Sequence, residues 1–103
     1  MKRIIAEKDG DLVVRITGDI DHHSAPGIRE EIDRLLEEKK PKKLLLDLGE
    51  TDFMDSSGLG LILGRKRKTE EMGIGFVLVN PTEGCKKILH LAGMERQIET
   101  KYV

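Results

Sequence analysis

Two short runs near the start of the chain, Ile4 to Glu7 and Leu12 to Thr17, read as β-strands, with Asp9-Gly10 between them. Asp-Gly is a strong signal for a tight hairpin turn, so an opening β-hairpin is expected. From Ala25 the apolar period changes to that of a helix, with Ala25, Ile28, Ile32, Leu35 and Leu36 on one stripe. Ser24 is the expected N-cap, Pro26 is tolerated in the first turn, and Pro41 stops a helix that runs to about Lys39. Lys43 to Leu48 reads as a strand apolar on both faces, covered by helices at the centre of a sheet. A second helix is expected from Leu59 to Met72, ended by Gly73, then a buried strand from Ile74 to Val79 and a turn at Asn80-Pro81. Thr82 can cap a third helix with Cys85, Ile88, Leu89 and Ala92 on one stripe, and Gly93 ends it before a last strand, Gln97 to Val103. The order β-β-α-β-α-β-α-β predicts a single α/β domain over residues 1–103, with a mixed sheet that is antiparallel in the hairpin and parallel thereafter.

In such a sheet the functional crevice lies at the carboxyl ends of the strands. The loops there are Gly18 to Ser24, Gly49 to Ser57 and Asn80 to Thr82, so Asp21, Asp55, Ser56 and Asn80 are expected around one site. Phe53-Met54-Asp55-Ser56-Ser57-Gly58-Leu59-Gly60 sets two hydroxyls behind a carboxylate at the mouth of a helix. Unpaired N–H groups and the positive end of the helix dipole favour an anion there, so the segment suits a phosphorylated serine. The added charge would alter any partner surface laid over the spot, which makes a binding switch possible. The pattern by itself also fits Ser56 and Ser57 as simple N-caps.

Composition removes several alternatives. Eighteen basic and nineteen acidic residues leave a net charge of −1, which gives no support to direct nucleic-acid or membrane attraction. No apolar run approaches a membrane span or a signal-peptide core, so a cytoplasmic location is expected. Cys85 is the single cysteine and sits on a core stripe, reading as a small buried hydrophobe. His22-His23 lacks further ligands at metal spacing, and adjacent histidines are expected to point apart. His90 lies off the core stripe and is expected to be exposed. A serine hydrolase would need a glycine where Met54 stands in its nucleophile elbow. Gly58, Gly60 and Gly64 match no nucleotide loop and are read as allowing close helix packing and access to Ser56. Arg65-Lys66-Arg67-Lys68 reads as a solvated helix face, with Glu70 and Glu71 placed to pair with Lys66 and Arg67.

The serine segment, continued through Leu61-Ile62-Leu63-Gly64-Arg65, together with Gly18-Asp19-Ile20-Asp21-His22-His23-Ser24-Ala25, resembles the STAS-domain family. The likeness is strongest to its sporulation-type anti-sigma factor antagonists, those of the sigma-F pathway. It implies a regulator that is not itself an enzyme. Unphosphorylated, such a protein binds an anti-sigma factor that is also a serine kinase, and so frees the sigma factor. The kinase brings ATP and magnesium, a PP2C-type phosphatase reverses the modification, and the antagonist carries no cofactor of its own; weak nucleotide binding, attributed to some relatives, stays open. Carried over, Ser56 is the phospho-acceptor, with Asp21, Asp55, Ser57 and Gly58 around it. Asp21, His22, His23, Ser24, Ser56, Ser57, Leu59 and Gly60 form the contact surface. The family pattern also includes a helix after the last strand, absent from this sequence, and an aromatic residue where Lys66 follows Arg65. A STAS module of another partner switch, such as a stress-response system, is the alternative within the same resemblance.

Overall fold

A computed structural model describes residues 2–103. The hairpin pairs β1 (Lys2–Lys8) with β2 (Asp11–Thr17) in antiparallel register, Lys8 opposite Asp11. Asp9 and Gly10 both take left-handed backbone, φ 53° and 88°. That is the geometry a two-residue turn needs to match strand twist. The chain continues through α1 (Ala25–Lys39), β3 (Lys43–Glu50), α2 (Ser56–Met72), β4 (Gly75–Val79), α3 (Glu83–Leu91) and β5 (Glu99–Lys101). Strands lie in the order β1-β2-β3-β4-β5, with every pairing after the hairpin parallel. The predicted fold class and element order are both realised.

Each crossover advances the sheet by one strand in the same direction. Right-handed connections then stack all the helices on one face. The core agrees: Leu12, Val14 and Ile16 of β2, Leu44, Leu46 and Leu48 of β3, and Leu78 of β4 join one cluster with buried residues of all three helices. The expectation that helices cover both faces of β3 is therefore corrected. Its other face carries half-buried Leu45 and the buried Asp47, whose carboxylate meets Arg15 at 3.2 Å and accepts from Gly49 N–H at 2.9 Å. A leucine run resembled a doubly covered strand because three of its four leucines point to one side and the fourth is only partly shielded.

Other boundaries shift for local reasons. Helix α2 begins at Ser56, three residues before the expected start, because Asp55 caps it. Gly73 ends it as expected, at φ 73°. Thr82 caps α3, accepting from Cys85 N–H at 3.5 Å while its hydroxyl donates to Thr51 O at 2.6 Å. Cys85 is buried, and burial pushes its thiol pKa up, in keeping with a packing role. His90 is exposed as expected, whereas Ala92 lies beyond the helix and is exposed rather than on the core stripe. Strand β5 spans fewer residues than Gln97 to Val103. Among the described residues no helix is long and apolar enough to cross a membrane.

The basic run is only partly a solvated face. Lys66 pairs with Glu70 at 2.6 Å as expected, but Arg67 makes no ion pair among the described residues. Arg65 is only 6% exposed and points into the α1–α2 contact, where its Nε lies 2.9 Å from Asp33 Oδ1. The contact is a charge pair whose N–H is not aligned on the oxygen, and Arg65 Nη1 has no hydrogen-bond partner among the described residues. Burial lowers the Arg65 pKa, and Asp33 opposes that shift. Removing the carboxylate leaves a buried guanidinium without its counter-charge. Asp33→Ala is expected to cost about 2–3 kcal/mol, and Arg65→Met, which keeps the apolar stem, to cost less; urea unfolding of the two variants checks the order.

Candidate functional site

The serine segment is held from both sides. Asp55 has extended backbone and its carboxylate accepts from Ser57 N–H at 2.7 Å, while its carbonyl accepts from Gly58 N–H at 3.0 Å and Leu59 N–H at 3.3 Å. Ser56 and Ser57 are thus the first two residues of α2 and not its caps, which corrects the simplest local reading of this pair. Ser56 is exposed, Ser57 is half-buried, and neither hydroxyl makes a hydrogen bond among the described residues. Ahead of them Met54 is fully buried and Phe53 is 53% exposed.

Gly58 allows this arrangement. A Cβ there would lie 2.7 Å from Met54 Cβ, closer than real contacts reach, and 3.1 Å from its sulfur. The other two glycines differ from expectation: a Cβ at Gly60 or Gly64 would meet nothing within 4 Å among the described residues. They serve no close packing, and they leave a low strip of helix surface one and two turns beyond Ser56.

Two backbone bonds tie the second loop to the first. Ile20 N–H donates to Phe53 O at 3.0 Å, and Asp55 N–H donates to Ile20 O at 3.1 Å, across a parallel bridge between Ile20 and Met54. Asp21 follows directly, and its Oδ1 accepts from His23 N–H at 2.9 Å and Ser24 N–H at 3.0 Å. Ser24 does not cap α1. Its backbone is already helical, and its hydroxyl accepts from Asp21 N–H at 3.0 Å instead. The turn begins earlier, where Ala25 N–H donates to Asp21 O at 2.9 Å, so Asp21 takes over the capping role. The Ser24 N–H acts most strongly on the Asp21 carboxyl; burial opposes it, and the His23 N–H adds to it, so that the carboxyl is held below its ordinary pKa.

His22 and His23 are exposed, and their rings lie 4.0 Å apart at 38°, not pointing apart as expected. No group of three or more potential metal ligands occurs among the described residues. His22 and Ser57 line one depression of about 250 Å³ with Ala25, Pro26, Arg29 and Leu61. Leu59 is half-buried against the core and Gly60 is exposed. Asn80 is not part of this grouping: its N–H donates to Lys101 O at 2.8 Å and its Oδ1 accepts from Val103 N–H at 2.9 Å, fastening the end of β5. A larger depression of about 430 Å³ lies between α2 and Met94, away from both serines, and its Lys66 and Glu70 neutralise each other. Arg29 and Phe53 are exposed beside these loops and were not among the site residues expected from the sequence. Phe53 carried a signal, since it is an aromatic residue in a polar turn of an aromatic-poor chain.

Gly58→Ala forces Met54 to move and is expected to lower stability by about 1–3 kcal/mol, read as an earlier denaturation midpoint, while Gly60→Ala leaves the midpoint unchanged or raised. Asp21 contributes stability above its unfolded pKa, and that contribution is lost as pH falls through its lower folded value. Asp21→Asn is therefore expected to weaken the fold at neutral pH and to flatten the acid limb of the stability profile. Equal acid limbs in the two proteins would contradict this assignment.

Residues 2–102 match the family model described as the STAS domain. An anti-sigma F factor antagonist of Lysinibacillus sphaericus is 34% identical over 83 residues, which are 81% of this chain and 71% of the relative. An anti-sigma-B factor antagonist of Bacillus subtilis (strain 168) is 28% identical over 95 residues, 92% of this chain and 85% of the relative. The anti-sigma factor antagonist SpoIIAA superposes in its unphosphorylated form with a TM-score of 0.83, covering 96% of this chain and 87% of its own. Its phosphorylated form gives 0.76, covering 96% and 90%, and both are 27% identical to this sequence. A family model that matches residues 2–102, almost the whole length, means that this chain belongs to the STAS domain family.

Proposed function

We propose that this domain is an anti-sigma factor antagonist that works by partner switching, with Ser56 as its phospho-acceptor. The observation that carries the reading is the state of Ser56: exposed, free of hydrogen bonds through its hydroxyl among the described residues, and set at the start of a capped helix directly after a carboxylate. In its unphosphorylated form the domain binds an anti-sigma factor with serine kinase activity and displaces the sigma factor. The kinase, with ATP and magnesium, transfers the γ-phosphoryl group to Ser56 Oγ and releases ADP. A PP2C-type phosphatase hydrolyses the ester and restores binding. The domain is a substrate in this cycle and needs no cofactor of its own.

The chemistry of the site explains how one group can act as a switch. The helix N-terminus tolerates the phosphoryl charge, so the domain keeps its shape. The same charge next to Asp55 acts on whatever covers the surface. A loss of about 3 kcal/mol at an interface lowers affinity roughly 100-fold, and a doubly charged group pressed against an apolar or acidic partner surface can cost that much. The contact surface comprises Asp21, His22, His23 and Ser24 from one loop and Ser56, Ser57, Leu59 and Gly60 from the other, with Phe53 beside them. The likeness to a sigma-B antagonist supports a second reading, in which the same switch serves a stress-response sigma factor.

Ser56→Ala is expected to bind the anti-sigma partner with near wild-type affinity and to incorporate no phosphate, whereas Ser57→Ala still accepts one. Site-mapped mass spectrometry after incubation with the kinase, ATP and magnesium checks both. Undiminished phosphate in Ser56→Ala would overturn the assignment.

A further inference from the structure

Ion pairs across the α1–α2 groove follow one another at intervals of a helical turn. Glu37 on α1 accepts from Lys68 on α2 at 2.8 Å, and Asp33 meets Arg65 at 2.9 Å. One turn nearer the serines α1 presents Arg29, and the α2 residues that share its depression are Leu61 and Ser57, neither of them a carboxylate. Arg29 is exposed, and among the described residues it makes no ion pair or side-chain hydrogen bond. Its charge is felt by its neighbour: after burial, and against the pull of Asp33, the Arg29 guanidinium lowers the Arg65 pKa further.

The surroundings of Arg29 favour an anion. Its depression of about 250 Å³ is lined by buried Ala25 and Leu61 and by exposed Pro26, His22 and Arg29. Ala25 opens α1 and Ser57 is the second residue of α2, so the positive ends of two helix dipoles converge there. The nearby carboxylates of Asp21 and Asp55 are engaged by backbone N–H groups.

The geometry points to this depression as the seat of an acidic side chain of the anti-sigma partner, an aspartate or glutamate whose carboxylate pairs with Arg29 while its stem lies on Pro26 and Leu61. The inference rests on the partner-switch reading and extends its contact surface from the two loops onto the first turns of α1. Arg29 is then a specificity-determining residue. It rewards a partner with a carboxylate at this place and disfavours one with a cation.

Isothermal titration of the unphosphorylated domain with the anti-sigma partner tests this at two salt concentrations. Arg29→Gln is expected to weaken binding about 10-fold and Arg29→Glu about 100-fold, with a shallower salt dependence in Arg29→Gln. A partner variant with one glutamate or aspartate changed to arginine should recover the loss in Arg29→Glu. Because Arg29 is exposed and repels Arg65, its replacement should leave the thermal midpoint unchanged or raised. A lowered midpoint accompanying weaker binding would make Arg29 structural and overturn the proposal. Equal affinity of Arg29→Glu and wild type, with phosphorylation of Ser56 still abolishing binding, overturns this inference alone. Failure of the wild-type domain to bind overturns the partner-switch reading and this inference with it.

Discussion

Two backbone hydrogen bonds, from Ile20 N–H to Phe53 O and from Asp55 N–H to Ile20 O, decide where everything at the candidate site lies. They extend the parallel pairing of β2 and β3 past a register shift and into the loops, with buried Ile20 and Met54 beneath them. Both side chains are fully inaccessible, so separating the loops would expose apolar surface as well as break the bonds. Directly after the bridge each loop turns into a helix. Asp21 caps the turn into α1, and Asp55 caps α2. Two carboxylates, two histidines and two serines therefore sit on a common base that the sheet itself holds.

The singly covered sheet matters for the same reason. With all helices on one face, α1 and α2 lie side by side, and their N-termini open beside the bridged loops. The groove between them is bound by Asp33 with Arg65 and by Glu37 with Lys68, which fix the helices farther from the serines. Rigidity at one end and an uncrowded surface at the other suit a module that is recognised as a preformed shape. On the proposed reading, a phosphoryl group at Ser56 needs no structural relay, because it would change the charge of the proposed contact surface directly.

Much of this was legible in the sequence, where local and long-range demands agreed. Asp9-Gly10 specified its turn, and the stripe from Ala25 to Leu36 with Pro41 beyond it located α1, expected to run to about Lys39. The family motifs led to the two loops that the structure brings together. The start of α2 was less legible, since Ser56, Ser57 and Gly58 are weak helix formers and only the Asp55 cap and the close contact with Met54 make them helical. Arg65 was hidden in a basic run because periodicity along one helix does not show a counter-charge on another. Ser24 looked like a cap by residue type, yet Asp21 has the longer reach and caps the turn from upstream. Asn80 was assigned to the site by its place at a strand end, but the polar needs of the end of β5 claim it.

A preformed platform with a local electrostatic switch has a direct spectroscopic signature. Amide nitrogen–proton spectra of the domain before and after phosphorylation of Ser56 measure it residue by residue. The account predicts shifts confined to residues 20–24 and 53–61, with the amides of the β1–β2 hairpin and of β4 unmoved. Shifts spread through the sheet, or loss of the Ile20 and Asp55 amide protection on phosphorylation, would contradict it and make the modification a refolding event.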